Sequence, residues 1–124
     1  MPHPIHLARV YDPPAPEGGA RLLVDRLWPR GIAKAGLALD GWPKPLTPSD
    51  GLRRWFHADP GRWDDFAIRY HEELAAATAA EAVAACLDLC RQGPVTLLTA
   101  ARNPARSHAS VLRDHLLALQ EPQP

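Results

Sequence analysis

Proline sets the outline of this chain before any other residue does. Fourteen of its 124 residues are proline, and many crowd the first half, in Pro13-Pro14-Ala15-Pro16, Trp42-Pro43-Lys44-Pro45-Leu46 and Thr47-Pro48-Ser49. Each proline fixes φ and removes a backbone donor, so no long helix or central strand can run through these stretches. The N-terminal half is therefore predicted to be rich in loops, with regular elements confined to the gaps. The second half is freer of proline and turns helical.

The length suits one domain, residues 1–124, with a tail after Gln120 predicted to fray. Hydrophobic residues make up 46% of the chain, enough for a single core. Fourteen basic and fourteen acidic side chains cancel to a formal charge of zero. That balance argues against a strongly basic nucleic-acid coat and a polybasic membrane patch. No apolar run approaches the roughly 18–20 residues of a membrane span, and the start does not read as a signal peptide. Two cysteines fit a reducing cytoplasm rather than a disulfide framework. Lys34 and Lys44 are the only lysines. The arginine excess has two readings: GC-rich codon usage, or guanidinium groups that clamp a planar anion.

Alternation over Ile5–Val10 predicts a first strand, and the apolar run Arg21–Asp25 a second. The first joins the second through a loop too short for an ordinary crossover, which leaves a hairpin open. Leu37–Leu39 is a third short candidate. Ser49 is placed to cap a helix through Leu52, Trp55 and Phe56, and Pro60 suits the first turn of the next. Trp63, Phe66, Ala67, Tyr70 and Leu74 form its one-sided stripe. Thr78 and Glu81 have capping-box spacing for a third helix, with Gly93 as its left-handed stop before Pro94. Val95–Thr99 is the clearest strand. Asn103-Pro104 reads as the cap and first residue of a last helix, with Val111, Leu112, Leu116 and Leu119 inward. The expected class is α/β: a small, mostly parallel sheet of three to four strands flanked by about four helices.

Ligands of parallel α/β sheets bind beyond the carboxyl ends of the strands. Asp25, Arg26, Trp28 and Arg30 follow one such end; Arg102, Asn103 and His108 follow another. If the strands are parallel, these groups share an edge with a helix N-terminus, and a small anion is the expected partner. Asp25 could orient an arginine, act as a base, or close the strand end as a plain ion pair. Trp28 could stack on a ligand ring or fill the core beneath a loop. His108 is the candidate for acid–base work, with a core-edge histidine as the alternative. His57 and Asp59 could support a site or cap a turn. Arg53 and Arg54 beside Trp55 resemble a miniature nucleic-acid patch or a solvated helix face. His3 and His6, and Cys86 and Cys90, do not make a metal set, and no metal or cofactor is expected.

Arg9-Val10-Tyr11-Asp12-Pro13 and Val24-Asp25-Arg26-Leu27-Trp28-Pro29-Arg30-Gly31 resemble the YeaO-like branch of the family called domain of unknown function 488. Leu52-Arg53-Arg54-Trp55-Phe56-His57, Asp59-Pro60-x-x-Trp63 and Gly93-Pro94-Val95-Thr96-Leu97-Leu98 extend the resemblance over nearly the whole chain. It implies a small α/β domain of bacteria and archaea and brings no activity with it. Some members are labelled transcriptional regulators, yet this sequence has no helix-turn-helix beside a basic surface. More distant branches carry a cysteine near the end of the late strand and a Cys-His-Arg group at the following helix. Here those places hold Ala101 and Ser107-His108-Ala109; YeaO-like relatives commonly have Asn before the histidine. The resemblance thus keeps His108, adds Tyr11 to the candidate ligand contacts, and argues against thiol chemistry. Two functions compete: an enzyme or binding protein for a phosphate ester or nucleotide, and a non-catalytic nucleic-acid or protein-interaction module using Arg53, Arg54 and exposed tryptophans. A tryptophan patch of that kind would favour a homodimer.

Overall fold

The computed structural model describes residues 3–120, so the predicted frayed tail lies outside the described residues. Three strands, β1 (Ile5–Arg9), β2 (Ala20–Leu23) and β3 (Val95–Thr99), form one sheet in the order β1-β3-β2. Both pairings are parallel, with Ile5 and Ala20 each opposite Val95. Four helices complete the fold: α1 (Asp50–Ala58), α2 (Trp63–Ala75), α3 (Ala80–Gln92) and α4 (His108–Gln120). The expected α/β class holds.

The sheet separates two cores because successive strand residues face opposite ways. Leu22, Val24, Val95 and Leu97 join the larger core, with Leu52, Phe66, Tyr70, Leu74, Val83 and Leu112 from all four helices. Leu23 and Leu98 face the other way and pack with Val10 and Leu37 under Trp28 and Trp42. Helices therefore cover one face, and the proline-rich loops cover the other. Every residue of β3 is buried, as a strand enclosed on both faces and both edges requires. Tyr70 lies fully inside, and its hydroxyl donates to the Leu46 carbonyl, which ties α2 to the loop before α1.

Several local expectations are overturned. The hairpin left open between the first two strands does not form, because β3 sits between them. Leu37–Leu39 forms no strand; Leu22 instead bridges to Gly41, and Pro43, which lacks a donor, follows at once. Thr78 and Glu81 make no capping box. Ala77–Ala79 is a tight 3-10 turn, so Thr78 lacks the extended backbone a cap requires, and α3 starts after Ala79 with no side-chain cap. Gly93 closes α3 through its N–H to the Leu89 carbonyl, but its φ of 173° is extended, as expected of a residue before proline. Leu119 is half exposed, while Val111, Leu112 and Leu116 are buried. Ser49 does cap α1, accepting from the Leu52 N–H, and Glu73 of α2 grips Ser49 in turn.

Glycine is required at Gly19. Its φ is +67°, and a Cβ there would stand 1.9 Å from the Pro94 carbonyl oxygen. That same oxygen accepts from the Ala20 N–H as β2 begins beside β3.

Candidate functional site

A cavity of about 480 Å³ opens at the carboxyl ends of β2 and β3, where α4 begins. Its position follows from the parallel sheet. The Val24 N–H extends β2 onto the Leu98 carbonyl, and the chain then turns away at Asp25. One carboxylate oxygen of Asp25 accepts from His108 Nε2 at 2.8 Å, and the other accepts from the Ala100 N–H at 2.8 Å. The end of β2 thus meets the end of β3 and the start of α4, more than 70 residues on, at one partly buried side chain. Burial pushes this carboxyl upward. The bond and charge of His108, the Ala100 N–H and Thr99 outweigh that effect and hold Asp25 below its ordinary value.

The loop after Asp25 is fixed at several points. The Trp42 indole N–H donates to the Asp25 carbonyl, and the Trp28 indole N–H donates to the Ile32 carbonyl at 2.6 Å. The two indoles meet edge to face with centroids 5.4 Å apart. Pro29 is buried and Gly31 turns back at φ +79°, which leaves Arg30 on the rim between them. Tyr11, on the loop after β1, donates its hydroxyl to the Arg30 carbonyl and stacks beneath the Arg9 guanidinium.

Four arginines border the cavity: Arg26, Arg30, Arg53 and Arg106. Asp50 lies between Arg26 Nε, at 3.3 Å, and the Arg53 guanidinium, at 3.2 Å. The Arg53 bond and the neighbouring guanidinium charges lower the Asp50 carboxyl. Arg106 rests over the Trp63 ring. Among the described residues, no carboxylate lies within salt-bridge distance of Arg30 or Arg106. Phe56, Phe66 and Trp28 supply apolar wall, and His57 adds a second imidazole.

Six sequence candidates, Tyr11, Asp25, Arg26, Trp28, Arg30 and His108, line this one cavity. Arg102 and Asn103 lie outside its lining: Arg102 is exposed, and Asn103 accepts from the Ala105 N–H to cap the turn Pro104–Arg106. That 3-10 turn also delays α4, so the helix begins at His108 rather than at Pro104, with the Ser107 hydroxyl accepting from the Ala109 N–H. The same turn brings Arg106 to the cavity in place of Arg102. Arg53, read above as solvated face or nucleic-acid patch, also points to it. Its signal was Ser49, whose cap fixes the phase of α1. Asp59 caps a turn by accepting from the Gly61 N–H. All four tryptophans are half-buried, so they form no exposed patch. Cys86 and Cys90 are buried in α3, away from the cavity, where burial pushes both thiols up. Among the described residues no group of three or more metal-ligating side chains forms, and no helix is long and apolar enough to cross a membrane.

The family model described as "Inactive DUF488-N3 subclade" matches residues 4–123. The chain belongs to the DUF488 family. Its DUF488 relatives include the uncharacterized protein YeaO of Escherichia coli, 45% identical over 115 residues, which cover 93% of this chain and 98% of YeaO. An uncharacterized protein of Mycobacterium tuberculosis is 45% identical over 108 residues, covering 87% of this chain and 89% of its own. No solved structure matches. Ala101 and Ser107 both line the cavity.

Proposed function

We propose that the cavity binds a small anionic molecule, such as a phosphate ester or nucleotide, and holds it without turnover. The reading is carried by one observation: four guanidinium groups border a cavity whose one lining carboxylate, Asp25, is already engaged by His108 and Ala100. Arg30 and Arg106 are the clamp, since planar guanidinium forks suit phosphate oxygens. Arg26 and Arg53 add charge from the α1 side, and the start of α4 contributes its N-terminal dipole. Trp28, Tyr11 and Phe56 offer ring faces for the rest of the ligand.

The description "inactive" attached to the matching subclade, together with alanine and serine at the two thiol positions, favours binding over catalysis. A second reading, turnover with His108 moving a proton and Asp25 orienting it, is favoured by their 2.8 Å bond. The absence of a tryptophan patch weakens the nucleic-acid or protein-interaction module and the homodimer. We also propose a cytoplasmic location, on the two free cysteines.

The test is a thermal-shift screen with inorganic phosphate, nucleoside mono- and triphosphates and sugar phosphates. A ligand at 100 times its Kd stabilises by about 2.7 kcal/mol. Arg30→Ala combined with Arg106→Ala is expected to abolish the response in a folded protein. A panel without a stabiliser, or a response that survives the double variant, overturns the clamp. Salt-sensitive binding of short DNA or RNA that persists in that variant favours the interaction module.

A further inference from the structure

The cavity at the strand ends limits both the charge and the shape of what it can hold. At neutral pH its formal charges are four guanidinium groups, Arg26, Arg30, Arg53 and Arg106, against two carboxylates: Asp25 on the wall, and Asp50 beside Arg26 and Arg53. Two positive charges are left unmatched. Much of the remaining wall is aromatic, from Tyr11, Trp28, Phe56 and Phe66. We propose, on the reading that this cavity binds an anion, that its ligand is a nucleoside monophosphate: one doubly charged phosphoryl group joined to a planar base.

The charge selects the phosphate. A phosphomonoester carries about −1.5 to −2 at pH 7, which matches the unmatched guanidinium charge. A single carboxylate falls short of it. A triphosphate exceeds it, and the excess would face Asp25, whose carboxyl is held below its ordinary value and so is ionised at neutral pH. A backbone donor stands at the same wall. Ser107 accepts from the N–H groups of Ala109, Ser110 and Val111. The first N–H of a helix has no partner within it, so among the described residues His108 keeps a main-chain donor for a phosphoryl oxygen.

The space and the aromatic wall select the rest. A cavity of about 480 Å³ is far larger than inorganic phosphate and falls in the range of about 300–1,000 Å³ usual for small-molecule sites. A sugar phosphate would leave the rings against water, whereas a base buries them. Phe56 is the ring best held for that contact. It is half-buried and stacks on Phe66 with centroids 4.5 Å apart, which fixes its plane. It also follows Arg53 by three residues on α1, a spacing that puts both side chains on one helix face. One helix thus presents a positive charge and a ring side by side.

The experiment is calorimetry of the full-length protein with AMP, GMP, CMP and UMP, their nucleosides, diphosphates and triphosphates, and with ribose phosphate, inorganic phosphate and succinate. At least one monophosphate is expected to bind at least tenfold more tightly than its own nucleoside and triphosphate and than the three ligands without a base. Phe56→Leu should bring that monophosphate down to the affinity of ribose phosphate and leave ribose phosphate within twofold. Asp50→Asn adds one unmatched positive charge and should raise the affinity for the diphosphate relative to the monophosphate at least threefold at low salt. Circular dichroism checks that each variant folds; if Phe56→Leu does not, the ligand ranking and Asp50→Asn decide. A triphosphate, ribose phosphate, inorganic phosphate or succinate that binds as tightly as every monophosphate overturns the nucleotide assignment and leaves the anion site standing. So does a monophosphate affinity unmoved by Phe56→Leu, or a diphosphate preference unmoved by Asp50→Asn. No binding by any of these anions overturns the anion site as well.

Discussion

Replacing Asp25 by alanine isolates the joint on which the cavity is built. The side chain accepts from His108 Nε2 and from the Ala100 N–H, both at 2.8 Å, and is only 16% exposed. Its removal leaves two donors without their partner, and each unsatisfied buried donor costs about 1–3 kcal/mol. Both donors are partly buried, so water recovers some of this, and the expected loss is about 2–4 kcal/mol out of a typical 5–15. Asp25→Asn keeps an acceptor for Ala100 and should lose about 1 kcal/mol. The pH dependence has a definite sign. Asp25 is held below its ordinary value in the folded state. Its carboxylate therefore contributes stability that is fully present above the unfolded value of about 3.9 and is lost as the pH falls through the folded one. The gap between wild type and Asp25→Asn should accordingly be constant at neutral pH and narrow below about pH 4. Urea unfolding followed by tryptophan fluorescence at pH 7, 5 and 3.5 measures this. A loss under about 0.5 kcal/mol for Asp25→Ala at pH 7, or a gap that does not narrow in acid, would refute the reasoning.

Two other outcomes follow from the packing. Gly19→Ala places a Cβ 1.9 Å from the Pro94 oxygen at a φ of +67°; left-handed strain of about 1–2 kcal/mol plus overpacking of about 1–3 should lower stability by about 2–5 kcal/mol in the same urea assay. Cys86, its thiol pushed up to about 12 by burial and the neighbouring Cys90 sulfur, should react with a disulfide reagent at pH 8 at least a hundredfold more slowly in the native protein than in urea.

How much of this was legible in the sequence depends on the range of the forces involved. Val95–Thr99 and Ser49 were plain because β-branched composition and a capping hydroxyl act within a few residues. The edge shared by Asp25, Arg30 and His108 followed from a rule about parallel sheets, so it needed only the strand direction. Gly93 and Thr78 misled because a neighbour decided their backbone: Pro94 in one case, a tight turn out of α2 in the other. Arg102 was expected where Arg106 stands, since the sequence does not say that Asn103 caps a single 3-10 turn before α4. The contact between His71 of α2 and His115 of α4, Nδ1 to Nδ1 at 3.0 Å, could not be read at all. Their meeting depends on how two helices cross, and no spacing along one helix encodes that.

The order β1-β3-β2 also governs how the molecule can be assembled. During synthesis the two earliest strands emerge with no mate, and both stay unzipped until the ribosome has delivered the last one. Long-range docking of this kind slows acquisition of structure and leaves sticky intermediates for chaperones to shield. A nascent chain halted before Val95 would possess no sheet whatever, rather than a sheet short of one edge.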